Sequence, residues 1–277
     1  MNPRDLAIGA ALAGAIALVA WRAHALTRSG AIAAFAVGTL TYASGTLGFT
    51  LVLLAFFVPS VALSRLGRAR KRDLVDVGKH GARDAMQVLA NGGVATACAV
   101  VWALTHDPRW AFAFAGAYAA ATADTWATEI GTLAKRQPRS ILTLRPVATG
   151  LSGGITLPGT LAEIGGAVWM GVGGLFGIGL AYASNPYPDA YYAPPAALML
   201  SLLAIPAGGV AGATLDSILG ATIQELRRCD ACDRECETDP HGCGASTQLV
   251  RGLPGVSNDI VNFLATAAGA AVAFVLG

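Results

Sequence analysis

The chain has 277 residues, of which 54% are hydrophobic and 13% charged, and its formal net charge at pH 7 is +2. With a mean hydropathy of +0.55, this composition excludes an ordinary soluble domain and indicates an integral membrane protein. We expect the bilayer to surround it and no nucleic acid to be among its partners.

Apolar stretches recur along the chain, each close to the ~20 residues that a helix needs to cross a bilayer. They predict an all-α polytopic bundle with eight spans at residues 5–21, 30–46, 49–64, 85–104, 110–132, 159–183, 195–222 and 257–276. We expect the first span to be retained, because no convincing signal-peptide cleavage site follows it. Residues 1–277 are interpreted as a single membrane domain with cytosolic loops at 134–158 and 225–255.

Basic residues lie almost entirely in one set of loops. The loops after the first, third, fifth and seventh spans hold 17 of the 19 Lys and Arg residues, whereas Arg4 and Arg109 fall in the other set. The positive-inside rule places the basic loops in the cytosol. Both termini are therefore expected outside, in what we interpret as a bacterial inner membrane.

The fifth span contains two carboxylates, Asp124 and Glu129, in the string DTWATEIG. At about 100° per residue they share less than half of the helix surface with the neighbouring threonines, opposite Trp126 and Ile130. Carboxylates facing lipid are energetically costly, so this arc is expected to face other helices or a cleft. Glu129 is the weaker candidate, because it lies about 140° from Asp124.

Three further spans carry polar faces. They comprise Asp216 and Ser217 in TLDSILGATIQ, Asn258, Asp259 and Asn262 in SNDIVNF, and Arg83, Gln87 and Asn91 at the start of the fourth span. In the predicted topology all of these groups lie at the cytosolic ends of their helices. Agreement in depth favours one shared cytosolic cleft over separate structural hydrogen bonds between helices.

The side chains predicted for this cleft offer oxygen ligands and no histidine. Such ligands suit a hard cation such as Mg²⁺, which binds through one or two carboxylates together with substrate phosphates. Proton or sodium coupling would use similar carboxylates. The polar arcs alone therefore do not separate an enzyme from a transporter.

The loop at 134–158 joins basic residues to the Gly-rich string TGLSGGITLPGT at 149–160. Such a loop can surround phosphates with backbone N–H groups while nearby cations neutralise their charge. A flexible connector would also be rich in glycine, and the absence of GxxxxGK[ST] excludes a Walker site. Lys79 and Arg83, in VGKHGARD, add a second set of cations.

Several strings now match a known family. DTWATEIG, TGLSGGITLPGTLAE, GATLDSILGATIQ, HGCG and VSNDIVNFLAT occur in this order, and the region from Gly81 to the C-terminus resembles the TMEM19-like, or DUF92, integral membrane family. Its plant and cyanobacterial members are phytyl-phosphate kinases, distantly similar to CTP-dependent phytol and dolichol kinases. The resemblance implies phosphoryl transfer from a nucleoside triphosphate, with CTP expected, to an isoprenyl monophosphate.

The resemblance also implies roles for individual residues. Mg²⁺ at the catalytic centre would be held by Asp124, Asp216 and Glu129, with Asn258, Asp259 and Asn262 in support. The nucleotide and lipid phosphates would be bound by Lys79, Arg83, Lys135, Arg139, Arg145, Gly150, Ser152, Gly153, Gly154 and Thr156. No strong general base is demanded, because the acceptor phosphate is already nucleophilic at pH 7.

Two other functions stay open at this point. A cytidylyltransferase that forms a CDP-lipid needs the same cation, nucleotide and membrane acceptor. A transporter of a phosphorylated or anionic solute requires polar groups that continue to the outer side. The outer halves of the fifth, seventh and eighth spans are apolar, which disfavours transport.

Four cysteines lie in the loop CDACDRECETDPHGCG. Cys229, Cys232, Cys236 and Cys243 follow the spacing C-x2-C-x3-C-x6-C, with His241 beside the last. Disulfides are disfavoured in the cytosol, so this spacing favours a structural Zn²⁺. A reversible disulfide and a loop without metal stay open. Asp230, Asp233, Glu235 and Glu237, which interleave these cysteines, also favour a structural role.

Overall fold

The computed structural model describes residues 1–67, 81–184 and 195–277, with side chains omitted for 195–202. The described chain forms seven helices: α1 (Pro3–Arg22), α2 (Arg28–Arg65), α3 (Ala85–Thr105), α4 (Pro108–Gly131), α5 (Leu157–Ala183), α6 (Pro195–Thr222) and α7 (Asn258–Leu276). The predicted helical membrane bundle is confirmed. Six of these helices, all except α4, contain segments long and apolar enough to cross a membrane.

Helix α2 is two helical segments joined by a sharp turn. Gly45 (φ −124°, ψ 20°) and Thr46 (φ 50°, ψ −140°) leave the helical conformation, and a straight helix of this length would extend about 57 Å. Arg65 instead donates a hydrogen bond of 3.4 Å to the carbonyl oxygen of Ala23. The end of α2 therefore lies beside its beginning, and the described residues form eight helical segments at the positions predicted for the eight spans. The number of membrane crossings and the location of the termini stay predictions.

Helix α4 is the centre of the bundle. Every residue from Ala111 to Ala123 is buried, because α2, α3, α5, α6 and α7 all pack against it. Its residues are mostly alanine in this region, which allows the surrounding helices to approach closely. A helix enclosed by protein does not need the apolarity of a lipid-facing span, and α4 can therefore carry polar groups at its C-terminal end.

Glycine contacts bring α4, α6 and α7 together. A Cβ atom on Gly212 of α6 would lie 2.4 Å from the Cβ of Ala120, and one on Gly116 of α4 would lie 2.6 Å from the carbonyl oxygen of Gly269. Small residues at such crossings permit backbone contact between membrane helices. The C-terminal halves of α4 and α6 are consequently held side by side.

Short strands form in the two loops at one end of the bundle. β1 (Arg139–Ser140) pairs antiparallel with β2 (Gly154–Ile155). β3 (Leu226–Cys229), β4 (Arg234–Cys236) and β5 (Gln248–Arg251) form a sheet in the order β4-β3-β5. We call residues 225–255 the cysteine lobe. The small sheets were absent from the all-α prediction, because segments of two to four residues show no resolvable strand periodicity.

Candidate active site

A cavity of about 580 Å³ lies at the end of the bundle where the two loops are found. Its wall contains residues from helices α2 to α7, from the Gly-rich loop and from the cysteine lobe. We call it the polar cavity. All of the polar arcs inferred from the separate helices contribute to this one space.

Helices α4 and α6 provide the aspartates at the centre of the wall. Asp124 and Asp216 are near enough to interact electrostatically with each other, and Glu129 and Glu163 interact in the same way with Asp124. Asp216 is 9% exposed, and its Oδ2 atom has no hydrogen-bond partner among the described residues. A buried carboxylate oxygen of this kind is suited to binding a cation.

Glu163 and Glu237 also line the cavity, although the sequence did not assign them to the site. Glu163, on α5, is 9% exposed and accepts a hydrogen bond of 3.2 Å from Thr214 Oγ1. A lone carboxylate in the glycine-rich sixth span was the signal that could have identified it. Glu237 belongs to a run of acids in the cysteine lobe, where no spacing distinguishes the one that turns inward.

Glu237 connects the cysteine lobe to the Gly-rich loop. Its Oε1 accepts a 3.0 Å hydrogen bond from the backbone N–H of Ser152, and its Oε2 accepts a 2.8 Å bond from Gln224 Nε2. Gln224 Nε2 also donates to Ser152 Oγ at 2.9 Å. Burial raises the pKa of Glu237, and these hydrogen bonds together with the charge of Arg251 offset part of that effect.

Glycines allow the Gly-rich loop to follow this path. Gly150 and Gly153 have φ of 89° and 81°, in the region that favours glycine. A Cβ atom on Gly153 would lie 2.5 Å from the Cβ of Ala221, so the loop also packs directly on the end of α6. The predicted residues Gly150, Ser152, Gly153, Gly154 and Thr156 all line the polar cavity.

The first turns of α3 and α7 complete the wall. Asn258, Asp259 and Asn262 on α7, and Arg83, Gln87 and Asn91 at α3, line the cavity. The backbone of Arg83 is held by two 3.0 Å bonds, in which Arg83 N–H donates to the carbonyl of Ala25 and Thr27 N–H donates to the carbonyl of Arg83. Burial lowers the pKa of Arg83, and the nearby Glu129 carboxylate opposes that shift.

Three helix N-termini meet at the cavity. Asp84 caps α3 through a capping box, and Thr156 caps α5 by accepting a 3.1 Å hydrogen bond from Gly159 N–H. Ser257 is the N-cap of α7 and makes no side-chain capping bond. The N-terminal ends of helices carry partial positive charge and favour phosphate groups. The same space thus offers carboxylates for a cation and helix ends for anions.

The predicted cations are divided between different locations. Arg83 lines the cavity, whereas Lys135, Arg139 and Arg145 are exposed and are not among its lining residues. Arg139 Nη1 donates to the carbonyl of Leu144 at 2.7 Å, which keeps its guanidinium within its own loop. Lys79 lies outside the described residues. Arg65, which the sequence did not single out, lines the cavity at the end of α2.

An apolar groove adjoins the polar cavity. It is lined mainly by α1 and by both segments of α2, including Ala13, Ala34 and Phe56. Arg83, Gln87 and Asn91 line both the groove and the cavity. The two spaces therefore meet at α3, with apolar walls on one side of these three residues and carboxylates on the other.

The charges of the cavity favour a bound cation. Six carboxylic acids line it: Asp124, Glu129, Glu163, Asp216, Glu237 and Asp259. Arg65 and Arg83 are the Lys or Arg residues that line it in the described part of the chain. Carboxylates gathered at this density repel one another unless a cation neutralises them. Their hard oxygen atoms fit Mg²⁺.

The cysteine lobe contains a second cluster of ligands. Ligand atoms of Cys229, Cys232, His241 and Cys243 all lie within 4.8 Å of one another. Cys236 lies outside this group, and its Sγ atom is 3.6 Å from the carbonyl oxygen of Thr238. The hydrogen bond from His241 lowers the pKa of Cys243 to about 6, assisted by the backbone of Ala245.

Comparison with known proteins agrees with a membrane location. Residues 11–270 match the model of a family described as integral membrane protein DUF92. The chain is 32% identical to Protein PGR of Arabidopsis thaliana over 265 residues, covering 90% of this chain and 88% of that protein.

Two further relatives extend the comparison. The uncharacterized membrane protein MJ0933 of Methanocaldococcus jannaschii is 31% identical over 76% of this chain and 79% of its own length. Protein VTE6, chloroplastic, of Arabidopsis thaliana is 30% identical over 50% of this chain and 44% of its own length. No solved structure matches the chain.

Proposed function

This chain belongs to the DUF92 family of integral membrane proteins, and from this membership and the polar cavity we propose that it is an isoprenyl-phosphate kinase. The reaction transfers a phosphoryl group from a nucleoside triphosphate, with CTP expected, to an isoprenyl monophosphate. The observation that carries the proposal is the junction of the carboxylate-lined cavity with the apolar groove at Arg83, Gln87 and Asn91.

The acceptor lipid has two chemically different parts, and the two adjoining spaces fit them. An isoprenyl chain is apolar and suits the groove between α1, α2 and α3, while its phosphate suits the polar cavity. Arg83, at the junction, donates charge-assisted hydrogen bonds to that phosphate. The acceptor phosphate is thereby directed toward Asp124 and Asp216.

Mg²⁺ would be held by Asp124 and Asp216, with Glu129, Asp259 and Asn262 as additional oxygen ligands from α4 and α7. When bound, it neutralises charge on the phosphates of the donor during transfer. Glu163, which lies near Asp124, adds a further carboxylate to this side of the wall. The conjunction of several carboxylates from three helices supports the assignment of a divalent cation.

The nucleotide phosphates would occupy the part of the cavity between the Gly-rich loop and the N-terminus of α7. The first turn of α7, which follows Ser257 and has no side-chain cap, offers backbone N–H groups to an anion, and Gly150, Gly154 and Thr156 also line the cavity. The exposed Lys135, Arg139 and Arg145 stay candidates for attracting the anionic substrates toward the cavity from outside.

The chemical step requires little beyond positioning and charge neutralisation. An oxygen of the acceptor monophosphate attacks the γ-phosphorus of the nucleotide, and the bond between that phosphorus and the β–γ bridging oxygen breaks. The products are an isoprenyl diphosphate and a nucleoside diphosphate. No proton must be removed from the nucleophile, so the step does not require a general base.

The proposed location is the cytosolic face of a bacterial inner membrane. The basic loops follow the helix ends that surround the cavity, and the positive-inside rule assigns such loops to the cytosol. Nucleoside triphosphates are present on that side. The orientation therefore agrees with the reaction, and the other ends of the helices have no role in it.

The experiment uses the purified chain in lipid nanodiscs with Mg²⁺. CTP, ATP, GTP and UTP are each offered with phytyl, geranylgeranyl or undecaprenyl monophosphate, and the products are identified by mass spectrometry. An isoprenyl diphosphate with an equal amount of nucleoside diphosphate supports the proposal. Pyrophosphate with a CDP-linked lipid would instead identify a cytidylyltransferase, and no nucleotide consumption with any pair would overturn the assignment.

A further inference from the structure

We propose that Cys229, Cys232, His241 and Cys243 bind a structural Zn²⁺ that fixes the cysteine lobe against the polar cavity. The site goes beyond the proposed kinase activity, because it takes no part in phosphoryl transfer. Its role is to hold the loop between Cys232 and His241, which carries Glu237 into the cavity wall.

Two distances within the cluster lie close to those of a tetrahedral zinc site, and all four ligand atoms lie within 4.8 Å of one another. Cys229 Sγ and Cys243 Sγ are 3.6 Å apart, and His241 Nδ1 is 3.2 Å from Cys243 Sγ. Zinc bonds of about 2.3 Å to sulfur and about 2.0 Å to nitrogen place tetrahedral ligands roughly 3.3 to 3.8 Å apart. Three thiolates and one imidazole are a common ligand set for structural zinc.

The local fold explains why these four residues meet and Cys236 does not. Cys229 ends β3, and Cys232 lies in the turn that leads to β4. His241 and Cys243 belong to a compact turn in which His241 N–H donates to the carbonyl of Ala245 at 2.9 Å. Cys236 pairs with Arg227 across the sheet and is fully buried. It therefore packs as a small apolar side chain.

The lobe has little apolar packing to stabilise it. Its apolar core is small: Leu226 packs with Leu151 and Val147 of the neighbouring loop. Its ion pairs include Arg228 with Asp233, both strongly exposed, and such surface pairs contribute little. Short segments with small cores usually need a metal or disulfides to hold one structure.

The loop held by the zinc ligands reaches the polar cavity. Glu237 lies between Cys232 and His241 in sequence, and its carboxylate accepts hydrogen bonds from Ser152 N–H and Gln224 Nε2 at 3.0 and 2.8 Å. Arg227 also holds this loop by donating to Asp239 at 3.2 Å. Glu237 is thus a positioning residue for the Gly-rich loop, and the zinc determines where it lies.

The test measures metal content and coordination, independently of any activity. The wild-type chain, purified without added metal, is expected to contain about one Zn²⁺ per chain, with an X-ray absorption spectrum of three sulfur ligands and one nitrogen ligand. Cys232→Ser and Cys243→Ser should lose most of the zinc. Cys236→Ala is the matched control from the same lobe and should retain it, as should Cys98→Ser in α3.

Two results would overturn the zinc site. One is wild-type protein with little zinc and a Cys229–Cys243 disulfide, found by mass spectrometry of alkylated peptides. The other is a bound metal whose absorption spectrum indicates oxygen ligands, or one that is lost equally from Cys236→Ala. The absorption spectrum of the wild-type chain tests the zinc ligands directly, even if a cysteine variant fails to fold. A chain that binds zinc but lacks kinase activity would contradict only the proposed function.

Discussion

The polar cavity and the cysteine lobe are built in opposite ways. The cavity takes oxygen ligands from helices far apart in sequence, from Asp124 on α4 to Asn262 on α7. The cluster of the lobe takes sulfur and nitrogen ligands from one stretch between Cys229 and Cys243. The cavity therefore exists only when the whole bundle is packed, whereas the cluster needs only a short sheet and a turn.

This difference in construction corresponds to a difference in chemistry. Hard oxygen ligands suit a cation that shares its coordination sphere with substrate phosphates. Four soft protein ligands close the coordination sphere of zinc and leave no position for a substrate. Glu237 is the point where the two regions touch, through its bonds to Ser152 and Gln224. Under the two proposals, the cavity is the reacting site and the cysteine lobe supports part of its wall.

The largest expected effect comes from removing charge at the centre of the cavity. Asp216→Asn should lower turnover about 100-fold or more, because a lost electrostatic contact to the reacting groups has a cost of this order. Zinc content should stay unchanged. Turnover and metal content measured on the same sample check this. Asp5→Asn, in α1, is the matched control, and equal losses of turnover in both variants would contradict the role of Asp216. Loss of zinc from Asp216→Asn would break the distinction between the two regions.

Removal of zinc should have an intermediate effect. A zinc-selective chelator is expected to lower turnover about tenfold, since loss of a supporting shell commonly costs 10- to 100-fold. Hydrogen exchange should increase over residues 226–251 and stay slow in α4. Activity should return with Zn²⁺ and not with excess Mg²⁺. Recovery with Mg²⁺ alone would mean that both regions depend on one kind of cation.

The sequence predicted the cavity better than the lobe, for a physical reason. In an apolar helix each polar residue is easily identified from the sequence, and the period of 3.6 residues gives the face of the helix on which it lies. Asp124, Asp216 and Asn262 were assigned to the cavity in this way. In the lobe, most residues are polar and the chain follows no regular period. The spacing of the residues could not predict that Glu237 turns toward the cavity or that Cys236 lies outside the ligand cluster. Both features depend on how β3 and β4 pair.

Two features of the helical bundle likewise could not be predicted from the sequence alone. The break between the second and third predicted spans is confirmed, but its location at Gly45 and Thr46 depends on backbone angles that composition does not specify. Glu163 was overlooked because it stands alone on its helix, and it joins the site only through the packing of α5 against α4. Apolar segments can be located from the sequence, whereas contacts between the helices require the packed structure.

Filling the apolar groove should lower enzymatic activity less than Asp216→Asn or the removal of zinc does. Ala34→Phe places a ring where the groove is lined and should raise the KM for a long isoprenyl phosphate roughly fivefold, with kcat little changed, since overpacking costs about 1 to 3 kcal/mol. Ala36→Phe, exposed on the same helix, is the matched control. Steady-state kinetics with varied lipid check this. A loss in kcat instead would assign the groove to the reacting site.

The smallest expected effect is a change in how the stability of the folded protein depends on pH. Burial raises the pKa of Glu237, so the folded protein binds more protons than the unfolded chain between the ordinary pKa of a glutamate and the raised one. Stability should therefore fall as pH rises through this window. Glu237→Gln cannot ionise, so its unfolding temperature should fall less steeply with pH.

Thermal unfolding between about pH 4 and pH 8, without divalent cations, measures this difference. Glu235→Gln, an exposed neighbour in β4, is the control and should follow the wild type. If the unfolding temperature changed with pH in the same way in the wild type, Glu237→Gln and Glu235→Gln, Glu237 would not be buried in the cavity wall.

The most direct test follows the γ-phosphate of the nucleotide. Purified protein in nanodiscs receives [γ-³²P]CTP, Mg²⁺ and an isoprenyl monophosphate, with Asp216→Asn and Asp5→Asn measured beside the wild type. The proposed kinase function predicts that the label appears in an isoprenyl diphosphate with the wild type and with Asp5→Asn, and is almost lost with Asp216→Asn. Label released as pyrophosphate, or transferred equally well by Asp216→Asn, would contradict it.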